Sequence, residues 1–158
     1  MEISAAGSSS KSAAPDLVRG APGAADQAAL VLHVEDDAAV RASVQMLMRS
    51  AGLRVVSVAS GTEALQRVQS ERLQPDVLIV DFHLADDMTG TDVAEALARK
   101  IGHAPPTIVL TGDKSNAELP WLVNAPVWMV SKPFDPAVLL AGVESLASFH
   151  RRTHARDT

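Results

Sequence analysis

A short hydrophobic run that ends on an aspartate constrains the fold of this chain more than any other feature. The run from Asp76 to Val80 follows Pro75, is rich in aliphatic and β-branched residues, and leads directly into Asp81. It is too short for a typical helix and lacks polar alternation, which indicates a strand buried on both faces of a parallel sheet. Ligands bind at the carboxyl ends of such strands, so Asp81 is the first candidate functional residue.

Four other runs have the same character, and helical patterns separate them. The predicted strands are Leu30–Val34, Arg54–Val58, Asp76–Val80, Thr107–Leu110 and Val127–Val130. Helices are predicted to open on capping signals at Ser60–Glu63, Thr89–Asp92 and Asp135–Pro136. Only a short or irregular helix is expected near Ser115, because Pro120 limits it to one or two turns. The alternation predicts an α/β fold with five parallel strands and helices on both faces of the sheet.

Composition divides the chain into one domain with two tails. Residues 1–27 are rich in Ala, Ser, Gly and Pro without any helical or strand period, so we predict a disordered leader. The region 28–150 holds all the predicted strands and helices, and the last helix is expected to end near His150. Residues 151–158 are then expected to form a polar tail.

The overall composition excludes several classes of protein. The net charge of −5 argues against a chain whose main partner is nucleic acid. The absence of cysteine excludes disulfides and thiolate metal sites. No apolar run approaches the roughly 18 residues of a membrane span, and no secretory signal is evident. We therefore expect a cytoplasmic protein.

Polar side chains follow four of the five predicted strands. Glu35 and Asp36 come after the first strand, Asp81 after the third, Thr111 after the fourth and Lys132 just beyond the fifth. Carboxylates that gather at one edge repel each other, and oxygen ligands without cysteine suit a hard cation such as Mg²⁺. With a lysine charge and a hydroxyl donor nearby, the set indicates phosphoryl chemistry.

The segments that carry these residues resemble the four signatures of the receiver domain of two-component response regulators. The segments are Val34-Glu35-Asp36-Asp37, Ile79-Val80-Asp81, Val109-Leu110-Thr111-Gly112 and Ser131-Lys132-Pro133-Phe134. They occur in the family's order, with the right element between each pair, and the match runs from about Leu30 to His150. The resemblance implies the flavodoxin-like strand order 2-1-3-4-5.

The same resemblance implies a role for each matched residue. Asp81 would be the phosphoacceptor, and Lys132 would contact the phosphoryl group through a Lys132-Pro133 bond that is usually cis in the family. Mg²⁺ would be held by Asp81 together with Glu35, Asp36 and the backbone carbonyl of His83. Thr111 would be the switch hydroxyl.

Two departures from the family pattern concern how the signal is read. Met129 stands where the family often has an aromatic residue that moves with Thr111. Pro120 and Pro126 shorten the helix between the fourth and fifth strands. We therefore expect the readout to involve ordering of residues 112–126 rather than an aromatic rotamer.

The resemblance implies a single-domain response regulator rather than a turnover enzyme. It would receive its phosphoryl group from a histidine kinase or a histidine phosphotransfer protein and would signal to a downstream protein target. DNA and membranes are not expected partners, whereas a second copy of the chain is a candidate. The cognate kinase, the output target, the oligomeric state, the phosphoryl lifetime and the role of the leader are not encoded in any recognisable pattern.

Three alternative functions are weighed against this one. A phosphatase or phosphotransferase with an aspartyl-phosphate intermediate usually has a second carboxylate two residues after the nucleophile, where this chain has His83. A pseudo-receiver that does not use phosphorylation would not need the complete polar set. A receiver fragment of a hybrid histidine kinase is disfavoured by the Met1 start and the short tail.

Several polar residues outside this set have a structural interpretation. Asp37 is interpreted as a favourable charge at a helix N-terminus, and His33 as a hydrogen-bonded histidine of the core. Asp86 and Asp87 are interpreted as a solvated loop. His33, His83 and His103 lack the helical or hairpin spacing of zinc ligands, so no zinc site is predicted.

Overall fold

Strands and helices alternate along the chain in the computed structural model, which describes residues 28–112 and 125–156. The elements are β1 (Leu30–Val34), α1 (Ala38–Ser50), β2 (Arg54–Val58), α2 (Gly61–Glu71), β3 (Val77–Asp81), α3 (Gly90–Ile101), β4 (Thr107–Thr111), β5 (Val127–Ser131) and α4 (Pro136–His154). The predicted leader and the predicted short helix near Ser115 lie outside the described residues. The segment 112–126, for which an ordering readout is expected, lies mostly outside them as well.

All strand pairs are parallel, and the sheet order is β2-β1-β3-β4-β5. The flavodoxin-like order implied by the sequence is therefore confirmed. The registers pair Asp81 with Leu110 and Thr111 with Ser131, so the carboxyl ends of the three last strands lie together. In the described part of the chain, no helix is long and apolar enough to cross a membrane.

Alternate residues of the central strands divide the hydrophobic core into two layers. Val31 and Ile79 face one side of the sheet and pack with α1 and α4, whereas Leu32 and Val80 face the other side and pack with α2 and α3. Every residue of β1, β3 and β4 is buried. This two-sided burial is the arrangement that the uninterrupted apolar runs predict.

The helices begin at side chains that accept hydrogen bonds from free backbone N–H groups. Asp37 caps α1 by accepting from Ala39 and Val40, and Thr89 caps α3 in a reciprocal box with Asp92. Ser60 caps α2, although Glu63 accepts from the N–H of Ala59 rather than from that of Ser60. The interpretation of Asp37 as a residue of the helix N-terminus is confirmed.

The last helix continues to His154, so the predicted end near His150 is wrong by one turn. Arg151, Arg152 and His154 lie in this turn, where basic side chains interact favourably with the helix dipole. The hydroxyl of Thr153 also donates to the carbonyl of His150 at 2.8 Å. In the sequence alone, the same polar composition is typical of a tail.

Trp128 of β5 packs against a glycine of α4. A Cβ added at Gly142 would overlap the six-membered ring of Trp128, so the strand and helix approach each other closely here. Trp128 is nevertheless 36% exposed, because β5 is an edge strand of the sheet.

Candidate functional site

The polar residues predicted from the sequence meet at the carboxyl edge of the sheet. Glu35 directly follows β1 and is fully buried, and Asp81 is the last residue of β3. Thr111 ends β4, and Lys132 directly follows β5. The parallel strand order therefore brings residues nearly one hundred positions apart in the chain into contact.

Lys132 links the two buried carboxylates. Its Nζ donates to Oε2 of Glu35 at 3.0 Å and to Oδ2 of Asp81 at 2.9 Å. Burial alone would lower the pKa of Lys132, but the hydrogen bonds to Asp81 and Glu35 outweigh it and raise the pKa. The amine is therefore positively charged and fixed at the site.

Glu35 is the most deeply buried acid of the site, with only 1% of its side chain exposed. Burial raises its pKa and the nearby charge of Asp81 raises it further, while the hydrogen bond from Lys132 acts in the opposite direction. The N–H of Asp37 also donates to Oε1 of Glu35 at 3.2 Å. Glu35 and Asp81 share the single cation of Lys132, so a second cation in the pocket would favour the ionised form of Glu35.

The carboxylates of Glu35, Asp36 and Asp81 form a set that fits Mg²⁺. One oxygen from each residue lies within 4.8 Å of the others. An octahedral Mg²⁺ with bonds of about 2.0–2.1 Å places neighbouring ligand oxygens about 2.9 Å apart and opposite ones about 4.2 Å apart. Asp36 is exposed and can adjust its position, so small side-chain rotations would bring all three to one ion.

His83 lies beside this acidic pocket, but its side chain is exposed. Its backbone N–H lies 3.4 Å from Oδ1 of Asp81, and its imidazole packs edge-on against Phe82. His83 also forms an isolated bridge with Thr89. The assignment of the His83 carbonyl as a metal ligand stays a prediction.

Thr111 and Met129 lie on neighbouring strands beside the site. Thr111 is fully buried, and its carbonyl accepts from the N–H of Lys132 at 2.8 Å. Met129 is half-buried, pairs with Val109 and packs against the core layer under α2 and α3. The switch roles of both residues stay predictions. The Lys132–Pro133 peptide bond next to the site is cis, as the resemblance implies.

Arg41 is a site residue that the sequence interpretation missed. Its guanidinium donates to the carbonyl of Glu35 at 2.8 Å and to that of Asp36 at 3.3 Å. These contacts fix the backbone of the acidic pair. The available signal was a basic residue in the first turn of α1, where the helix dipole disfavours positive charge.

Asp86 and Asp87 lie in a loop, as predicted, and Asp87 is exposed, but the carboxylate of Asp86 is bound to the protein rather than free in solvent. Its Oδ2 accepts from the N–H and the hydroxyl of Thr62, at 3.1 and 3.2 Å. The carboxylate thus binds the N-terminus of α2, where negative charge is favourable. It joins the loop after β3 to a helix on the same side of the sheet.

His33 is a buried core histidine, as expected, in the middle of β1. Its Nδ1 lies 3.4 Å from the hydroxyl of Ser57, and Nε2 has no hydrogen-bond partner among the described residues. Burial, followed by the positive charges of Lys132 and Arg41, lowers its pKa to about 4. The ring is therefore neutral at pH 7.

Gly90→Ala is expected to destabilise the protein by about 1–3 kcal/mol, the usual cost of overpacking. An added Cβ would lie 2.6 Å from the backbone carbonyl oxygen of Asp81, which cannot move without displacing the end of β3. Urea unfolding measures the change. Gly112→Ala is the matched control, because its Cβ would meet nothing within 4 Å. Equal stability of the two variants would contradict the tight approach.

Comparison with protein families gives a match over most of the described chain. The family model of the response regulator receiver domain matches residues 31–144. Protein Rrf1 of Nitratidesulfovibrio vulgaris is 32% identical over 126 residues, which cover 79% of this chain and 88% of that protein. Nodulation protein W of Bradyrhizobium diazoefficiens is 36% identical over 138 residues, covering 82% of this chain and 56% of that protein.

Similar proteins differ in how much lies beyond the matched region. The chain spans about half the length of several curated relatives, including 49% of the phyllosphere-induced regulator PhyR of Methylorubrum extorquens, to which it is 27% identical over 85% of its own length. Among solved structures, chemotaxis protein CheY4 of Vibrio cholerae is 29% identical with a TM-score of 0.64. That alignment covers 75% of this chain and 98% of CheY4.

Proposed function

The chain belongs to the response regulator receiver domain family, and from this premise we propose that it accepts a phosphoryl group on Asp81. The donor is the phosphohistidine of a histidine kinase or a phosphotransfer protein. One carboxylate oxygen of Asp81 forms the new bond to phosphorus while the P–N bond to the donor imidazole breaks. The imidazole leaves with the bonding electrons, and the product is an aspartyl phosphate.

The observation that carries this proposal is the position of Lys132 between two buried carboxylates. Its Nζ lies 2.9 Å from Asp81 and 3.0 Å from Glu35. A phosphoryl group on Asp81 would place new anionic oxygens within reach of this cation, which neighbouring charges already hold in position. If Lys132, Glu35 and Asp81 only stabilised the fold, they would not need a third carboxylate, Asp36, at the entrance of the same pocket.

Glu35, Asp36 and Asp81 would hold the Mg²⁺ of the reaction. When bound, the ion would neutralise negative charge that develops on the phosphoryl oxygens. Glu35 supplies a fixed, buried ligand whose backbone is held by Arg41, whereas Asp36 supplies an exposed ligand at the entrance. Lys132 then has the separate task of binding a phosphoryl oxygen.

Mass spectrometry tests the proposed function directly. The purified chain is incubated with acetyl phosphate, with Mg²⁺ or with a chelator. We expect a Mg²⁺-dependent adduct of about 80 Da, the mass of one phosphoryl group. A protein that stays unmodified under both conditions would instead be a pseudo-receiver, an interaction module that does not use phosphorylation.

Asp36→Ala is expected to weaken Mg²⁺ binding at least about tenfold, a loss seen even for outer-shell partners of metals. The fold should persist because Asp36 is exposed. Mg²⁺ titration, followed by the rise in the thermal unfolding midpoint, measures the affinity. Asp37→Asn is the matched control, because asparagine keeps the helix cap while removing the adjacent charge. Equal weakening by both variants would indicate a diffuse charge effect.

We propose that the signal leaves the domain through contact with another protein in the cytoplasm. Phosphorylation would bias the domain between two conformations, one of which the target binds more tightly. The net charge of −5 supports a protein target rather than nucleic acid.

A further inference from the structure

Three histidines that the proposed function does not use lie together in the described structure. His103 follows α3, and His150 and His154 are one turn apart on α4. One ring nitrogen from each lies within 4.8 Å of the others. The ring centroids are separated by 4.0 Å for His150–His154, 4.6 Å for His103–His154 and 5.4 Å for His103–His150.

This histidine cluster lies at the edge of the sheet opposite the acidic site. His103 precedes β4, and the end of α4 is held near the start of β3 by Arg151, whose Nη2 lies 3.5 Å from Oδ2 of Asp76. Asp81, in contrast, is the last residue of β3. The cluster therefore forms a separate group of donors at the amino edge.

The hydrogen bonds of His154 fix the tautomer that binds metals. Its Nδ1 lies 3.1 Å from the carbonyl oxygen of His150, which can only accept, so Nδ1 carries the proton. The hydroxyl of Thr153 donates to that same carbonyl, and its oxygen lies 3.3 Å from Nδ1, where it can be a second acceptor for the same proton. In the neutral ring, Nε2 is therefore the nitrogen that keeps a lone pair for a metal, and such second-sphere bonds typically orient metal-ligating histidines.

The other two rings have surroundings that favour the neutral, ligating form. Burial lowers the pKa of both His103 and His150, and a positive charge on His154, when that ring is protonated, lowers the two pKa values further. For His150, the charge of Asp76 acts in the opposite direction, and His103 and Arg151 add to the lowering. Three imidazoles held this closely also repel each other when they are all protonated. A shared metal ion would replace those protons and bind the neutral rings.

We propose that His103, His150 and His154 form a binding site for a transition-metal ion of the Zn²⁺ class. Two histidines at i and i+4 on one helix face are an established zinc-binding arrangement, and His103 adds a third imidazole from a different element. Tetrahedral Zn²⁺ with bonds of about 2.0–2.1 Å needs nitrogens about 3.3 Å apart. Small rotations of the half-buried His103 and the exposed His154 can supply this contraction around the buried His150. Water would occupy the fourth position.

A metal at this site would join the loop after α3 to the last turn of α4. Ligand binding to the folded state alone stabilises that state by mass action. The His-bound metal would thus hold together two elements at the amino edge, independently of phosphorylation at the opposite edge.

Isothermal titration of the tag-free full chain with ZnCl₂ tests the site. Excess Mg²⁺ is included so that the acidic pocket does not compete for zinc. We expect one equivalent of Zn²⁺ to bind with a dissociation constant of about 10 μM or tighter and to raise the thermal unfolding midpoint. His103→Gln and His154→Gln should each weaken binding at least about tenfold.

Two control variants separate this site from nonspecific surface binding and from binding in the acidic pocket. Arg152→Gln changes an exposed side chain in the same turn of α4 and should leave zinc binding unchanged. Asp36→Ala impairs the acidic pocket, and this variant should still bind one equivalent of Zn²⁺. Absence of zinc binding, or binding that survives both histidine substitutions, would overturn the proposal without affecting phosphorylation at Asp81.

Discussion

Asp81→Asn is expected to remove the phosphoryl adduct completely while leaving the fold intact. Asparagine has nearly the same shape as aspartate but lacks the anionic oxygen that attacks phosphorus. Loss of the charge at position 81 also removes its repulsion of Glu35. Mass spectrometry after incubation with acetyl phosphate and Mg²⁺ measures the adduct, and urea unfolding measures stability.

Asp86→Asn is the control for this variant. Asp86 lies in the loop after β3, but its carboxylate binds Thr62 rather than Lys132. The Asp86→Asn protein should therefore be phosphorylated like the wild type. An adduct on the Asp81→Asn protein, at the level of the wild type, would show that another residue is the acceptor.

Lys132→Met is expected to destabilise the metal-free protein by about 3 kcal/mol near pH 8, the low end of the cost of breaking a buried ion pair. Methionine keeps much of the side-chain volume but leaves Glu35 and Asp81 without their shared cation. Urea unfolding in the presence of a chelator measures this loss. Lys100→Met is the control, because Lys100 is exposed and donates to the side-chain oxygen of Gln69 at the surface.

The loss caused by Lys132→Met should be smaller at pH 5 than at pH 8. The folded-state pKa of Glu35 is already raised, so its contribution to stability is present at low pH and is lost as the pH rises through that value. Removing Lys132 raises the pKa further, since its hydrogen bond opposed the shift. The double variant Lys132→Met/Glu35→Gln should recover more than half of the loss. A loss independent of pH and not rescued by Glu35→Gln would contradict the charge mechanism.

Sequence patterns predict the sheet well because its three central strands, β1, β3 and β4, are buried on both faces. The four residues Val77–Val80 before Asp81 are all apolar, which is typical of a strand covered on both faces. The strands β1 and β2 have the predicted bounds. Asp81 itself belongs to β3, one residue beyond the predicted strand. That the carboxylates and Lys132 meet also follows from the sequence, because parallel order brings the carboxyl ends of strands together.

Features that depend on three-dimensional proximity were not predictable in the same way. The bond from Asp86 to Thr62 joins a loop and a helix that are 24 residues apart, and no local pattern marks it. The histidine cluster was missed for a similar reason. His150 and His154 have helical spacing, but residues after His150 were interpreted as a tail, so the pair was not seen on one helix.

The contact between Trp128 and Gly142 gives the protein an intrinsic optical reporter. The fluorescence of an indole depends on its solvation and on the atoms that touch its ring, and here Gly142 of α4 lies against the ring. Trp128 lies four residues before Lys132. Its emission is therefore expected to change with the spacing between β5 and α4, without any attached dye. The only other tryptophan of the chain is Trp121, and Trp121→Phe would leave Trp128 as the single emitter.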